Sequence, residues 1–177
     1  MLKLLDTKLQ RLDPQLVCFS VPFPGNLFAA LKSAQWIKQK YPTIKVAMGG
    51  GYPNTELRSL SDSRVFEFID FITLDDGETP LMNLLEYIKG ERDIEMLKRT
   101  FVLKEGQVKY YNGSLHSDVK QEKVGTPDYE GLSLKSYLSV IQLTNPMHRL
   151  WSDGRWNKLT MAPVSYTHLT LPTIYSV

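Results

Sequence analysis

The residues able to do chemistry fall in three short clusters. Pro22-Phe23-Pro24-Gly25-Asn26, Gly49-Gly50-Gly51 and Asp75-Asp76-Gly77-Glu78 each follow a short apolar run. Glycine and proline let backbone approach a ligand closely. Gly25-Asn26 also opens a helical stretch, whose free N–H groups suit an anion or an amide. The acids of the third cluster have two readings. They could hold a cation, or they could complement the dipole of the helix that follows. The glycines at 49–51 likewise admit plain turn chemistry. They form neither G-x-G-x-x-G nor a phosphate loop with its Lys-Ser/Thr, so the nucleotide fingerprints are absent.

Other reactive side chains are isolated. Cys18 is the single cysteine and lies inside an apolar run, where a packed thiol is expected. Ser20 ends that run with no base near it in sequence, which argues against a nucleophile. His116 stands in a polar stretch and is expected to be solvated, and nothing pairs locally with His148. No catalytic residue and no metal ligand is assigned. One cysteine also excludes an intramolecular disulfide and a cysteine-held metal cluster built from this chain alone.

The elements that position these clusters follow from periodicity. Leu2, Leu5, Leu9 and Leu12 have helical spacing, ended by Asp13-Pro14. Residues 16–21 and 44–48 are continuous apolar runs typical of buried parallel strands, and 68–74 holds a third. Leu27, Leu31, Ala34 and Ile37 stripe a helix ending near Tyr41-Pro42. A short helix is expected over 55–60. Another begins at the Thr79-Pro80 cap pair, carries Leu81, Leu84, Leu85 and Ile88, and stops at Gly90.

This alternation predicts an α/β fold: a partial Rossmann-like parallel sheet with helices on both faces. A β-hairpin is expected over 100–111 about Glu105-Gly106, followed by an irregular polar linker. In such sheets a ligand lies outside the carboxyl ends of the strands, which here carry all three clusters.

Composition bounds the function classes. The chain has 177 residues, about one domain. Its 21 basic and 19 acidic residues give a net charge of +2. That balance offers no electrostatic footprint for nucleic acid or an anionic membrane, so neither is expected as a partner. No apolar run reaches the ~18 residues that span a bilayer, and the N-terminus lacks signal-peptide order. A cytoplasmic location is the default expectation.

The order of these motifs resembles one family. Leu16-Val17-Cys18-Phe19-Ser20-Val21-Pro22-Phe23-Pro24-Gly25-Asn26-Leu27, then Val46-Ala47-Met48-Gly49-Gly50-Gly51, then Asp70-Phe71-Ile72 through Gly77-Glu78 and Pro80-Leu81, is similar to the cobalamin-binding domain at the front of B12-dependent radical SAM proteins. Such domains tend to carry a Ser after the third strand, a Gly-Gly pair after the fourth and a Gly-Glu turn after the fifth. The resemblance implies cobalamin as cofactor and loop contacts from Ser20, Gly49, Gly50 and Gly77. With the sheet-edge placement, the expected cofactor-binding set is Ser20, Pro24, Gly25, Asn26, Gly49, Gly50, Gly51, Gly77 and Glu78. There is no Asp-x-His-x-x-Gly, so no axial histidine of that kind is offered to cobalt.

The same resemblance divides the chain. Residues 1–95 would be the partial cobalamin-binding domain, without its first two strands, and 96–126 a hairpin and polar linker. Residues 127–162 look like a linker and the first strand of a radical SAM barrel that lies beyond this sequence. Residues 163–177 contain no Asp, Glu, Lys or Arg, and 164–173 resemble a translated sequencing adapter, so the natural sequence is expected to continue past Ala162. The barrel would be the partner of this segment. A [4Fe-4S] cluster and S-adenosylmethionine would belong to the full-length parent only, leaving this chain inactive by itself. Two other function classes remain open: a small α/β enzyme using the acidic loop 75–78, and a non-catalytic interaction module.

Overall fold

The computed structural model describes residues 2–123 and Glu130. It divides into two compact units, Met1–Val119 and Lys120–Val177. In the second, the described residues form one 3-10 turn at Gln121–Lys123, where the Lys123 N–H donates to the Lys120 carbonyl at 2.8 Å. Apart from Glu130, the expected barrel linker, the adapter-like tail and His148 lie outside the described residues.

The first unit is a five-stranded sheet ordered β1 (Leu16–Ser20), β2 (Lys45–Gly49), β3 (Phe71–Thr73), β4 (Thr100–Lys104) and β5 (Gln107–Tyr111). The first three strands are parallel, pairing Cys18 with Ala47 and Ala47 with Phe71. β4 runs antiparallel to β3, and β5 antiparallel to β4. The hairpin therefore adds two strands to the sheet. The compact unit takes in this hairpin, which lies beyond residue 95, and runs on to Val119. Glu105 and Gly106 turn it with φ of 55° and 73°.

Period-2 alternation sends side chains to two faces, and both carry helices. α1 (Leu2–Leu12) and α2 (Pro24–Lys40) cover one face. There Leu9, Ala30, Ala34 and Ile37 pack with Val46, Met48, Ile72 and Phe101. α4 (Glu78–Ile88) covers the other, where Leu84 packs with Ala47, Phe71, Leu97 and Val102. Ile37, Ile72 and Leu84 are fully buried. Each such side chain contributes about 1.5–3 kcal/mol of hydrophobic stabilisation.

The remaining helix, α3 (Gly51–Glu56), sits earlier than the 55–60 expected from sequence. Gly50 caps it, which places Pro53 in the first turn, where its missing N–H would have no intrahelical partner anyway. α4 also begins early: Gly77 is its N-cap, and the Thr79 hydroxyl donates to the Ser117 carbonyl at 3.1 Å instead of capping. α2 starts at Pro24, so Pro24, Gly25 and Asn26 belong to its first turn and not to a free loop.

Candidate functional site

The carboxyl ends of the three parallel strands, Ser20, Gly49 and Thr73, share one edge of the sheet. A cavity of ≈ 450 Å³ opens there, on the face that also carries α4. Its walls come from three strands and one helix. Cys18, Phe19 and Ser20 belong to β1, and Ala47, Met48 and Gly49 to β2. Thr73 belongs to β3, Asp75 and Gly77 to the loop after it, and Glu78, Leu81 and Leu84 to α4. The volume is in the range of small-molecule sites, which are mostly apolar with a few placed polar groups.

The cavity exists because α4 does not cover β1. The helix packs over Ala47, Phe71 and Val102, whereas β1 adds only Leu16 to that cluster. Cys18 and Ser20 share a face with Leu16, and both remain exposed. The packed-thiol expectation for Cys18 is thus corrected: it lines the cavity as an exposed residue. An apolar run announces a strand, but it does not reveal that one flank of that strand lacks a covering helix. Desolvation by the surrounding wall raises the Cys18 thiol pKa, which keeps it protonated and a poor nucleophile near neutral pH.

Five residues of the expected set line the cavity: Ser20, Gly49, Gly50, Gly77 and Glu78. Pro24, Gly25, Asn26 and Gly51 are not among its lining residues. The triple glycine answers a local steric demand. A Cβ at Gly51 would stand 2.6 Å from the Pro22 carbonyl oxygen. Gly49 faces the Thr73 hydroxyl at 2.9 Å by the same measure. The loops after β1 and β2 are zipped by Val21 N–H to Gly49 O at 2.8 Å and Tyr52 N–H to Val21 O at 2.9 Å. At Gly77, in contrast, a Cβ would meet nothing within 4 Å.

The acidic loop is held by arginines that motif reading missed. Arg58 and Asp75 form an ion pair through Nη2 and Oδ1. Arg99 Nε lies 3.7 Å from the other Asp75 oxygen, and the Asp75 N–H donates to Asn54 Oδ1 at 2.6 Å. Asp75 itself has φ +61°. Among the described residues no cluster of three or more His, Cys, Asp or Glu side chains could hold a metal ion. Three isolated polar residues, at 54, 58 and 99, carried no motif signal, since each is meaningful only once the chain has folded.

His116 is exposed, as expected, yet it is not free. Its Nδ1 lies 3.2 Å from the Nδ2 of Asn83, a fully buried residue of α4. Lys98 donates to its carbonyl at 2.5 Å. No helix among the described residues is long and apolar enough to cross a membrane.

Neither the protein-family models nor the curated proteins provide a match to the chain. Solved structures do. The cobalamin-dependent S-adenosylmethionine radical enzyme OxsB, with aqua-cobalamin and S-adenosylmethionine bound, aligns with a TM-score of 0.59 at 18% identity. That alignment covers 80% of this chain and 19% of OxsB. Its apo form aligns at 0.57 with 21% identity, covering 72% and 17%. The chain spans about a fifth of the length of these relatives. The fold is therefore a Rossmann-like α/β sheet similar to part of a cobalamin-dependent radical enzyme.

Proposed function

We propose that this chain is a cobalamin-binding segment of a longer B12-dependent radical SAM protein. The observation that carries the reading is the cavity at the carboxyl edge of the parallel sheet, bounded by Ser20, Gly49, Gly50 and Gly77, within a fold shared with a cobalamin-dependent enzyme.

The residues present fit such a cofactor. Ala47, Leu81 and Leu84 offer apolar wall, Ser20 a hydroxyl, and the glycines close backbone approach. Among the described residues no histidine lines the cavity, so an imidazole from these walls is not part of the reading. When bound, cobalamin supplies cobalt-centred chemistry, commonly methyl transfer. The part assigned to this chain is to bind the cofactor and shield part of it from water.

The test is to mix the purified chain with aquacobalamin and separate by gel filtration. Corrin absorbance should travel with the protein peak. Full separation of the two would refute binding. The parent assignment has its own test. Genomic sequence following codon 162 should encode Cys-x-x-x-Cys-x-x-Cys, and a stop codon or unrelated sequence there would refute it.

A further inference from the structure

We propose that Arg99 is a positioning residue for the third wall of this cavity, stapling residues 74–76 from behind so that Asp75, Gly77 and Glu78 present a fixed surface to the ligand. The ligand's identity rests on the cobalamin reading above.

The loop needs a staple. It joins β3 to α4 without regular structure, and Asp75 adopts a left-handed φ. Two of its carbonyls accept from one side chain. Arg99 Nε donates to the Leu74 carbonyl at 3.2 Å, and Nη2 donates to the Asp76 carbonyl at 3.0 Å. The same guanidinium is anchored on Asp118, with Nη1 to Oδ2 at 2.9 Å and Nη2 to Oδ1 at 2.7 Å. Main-chain contacts fix its base: Leu74 N–H donates to the Arg99 carbonyl at 2.9 Å, and Arg99 N–H to Asn112 Oδ1 at 3.3 Å.

Burial separates this group from the loop's other arginine. The Arg99 side chain is 12% exposed, against 55% for Arg58. Arg99 does not line the cavity, so any effect on a ligand passes through the loop. The planar fork is essential to the role. One guanidinium reaches two carbonyls and a bidentate carboxylate together, which a lysine ammonium cannot reproduce.

The test compares Arg99→Lys, Arg99→Gln and Asp118→Asn in the full chain, with Arg64→Gln as control. Arg64 pairs only locally with Asp62 on an exposed turn. Hydrogen exchange is read without ligand, and aquacobalamin binding is read separately. The Leu74 and Asp75 amides should exchange about tenfold faster in both Arg99 variants while β2 and β4 amides stay protected. Aquacobalamin should bind about tenfold more weakly, chiefly through faster release. Asp118→Asn should lie between these and the wild type. Unchanged loop exchange would overturn the proposal, as would equal loosening of the core strands or undiminished binding on a loosened loop. If the wild type itself fails to bind, the cobalamin reading falls by itself, and the exchange result still decides for or against the staple.

Discussion

Gly50 is packed against the backbone of Val21. A Cβ at Gly50 would lie 2.9 Å from both the nitrogen and the oxygen of Val21, and its φ is +103°. Main-chain geometry therefore brings the ends of β1 and β2 together, which is what gives the cavity two of its walls. Gly50→Ala should lower stability by about 1–3 kcal/mol, through strain at positive φ and a contact that cannot relax into a flexible side chain. Urea unfolding measures this, with Gly25→Ala as comparison, since Gly25 has open space around it.

Leu84 joins the two functions of α4. It is fully buried in the core beneath the helix and also lines the cavity. Leu84→Ala should cost about 2–5 kcal/mol, as for other buried leucines. A denaturation midpoint unchanged from wild type would show that α4 does not cover this face.

Asp70 is the polar counterpart of the core beneath α2. Its Oδ2 accepts from Lys38 Nζ at 2.5 Å and from the Val46 N–H at 2.7 Å, tying α2 to β2. Asp70→Ala removes the acceptor of both bonds and should cost about 1–3 kcal/mol. Asp70→Asn should retain part of this, because an amide oxygen can still accept from Val46. Equal losses in the two variants would mean the charge alone matters.

The Arg99–Asp118 pair has a pH signature. The guanidinium beside Asp118 holds its carboxyl below the usual carboxylate range. A carboxyl depressed on folding stabilises fully above its unfolded pKa, about 3.9, and that contribution is lost as pH falls through the lower folded value. Asp118 is 44% exposed, so solvent screens the pair and the effect is small. Carbon NMR should show Asp118 titrating below about 3.9 in the wild type and returning towards that value in Arg99→Gln. An unchanged midpoint would contradict the pairing.

Much of the fold was legible because its signals are local. Continuous apolar runs marked β1 and β2, and alternation about Glu105-Gly106 marked the hairpin. Turn residues were less reliable guides. Thr79-Pro80 looked like a cap pair, yet Gly77 begins α4, because the Thr79 hydroxyl is drawn to a carbonyl 38 positions away. Membership of the hairpin in the sheet was also hidden, since antiparallel pairing of Ile72 with Phe101 leaves no periodic trace. Within the site, strand-end residues such as Ser20 and Gly49 followed from the sheet-edge rule. Cys18, Arg58 and Arg99 did not, because their roles depend on which neighbours arrive from distant segments.

Binding of aquacobalamin to the wild type and to Gly77→Phe tests the central claim most directly. Gly77 lines the cavity, its φ of −79° suits any side chain, and a Cβ there meets nothing within 4 Å. A phenyl group can therefore take up part of the cavity without straining the backbone. Titration followed by corrin absorbance should show saturable binding to the wild type and at least about a tenfold weaker Kd in the variant, with unfolding midpoints alike. Equal binding by both proteins, or none by the wild type, would contradict the assignment of this cavity to cobalamin.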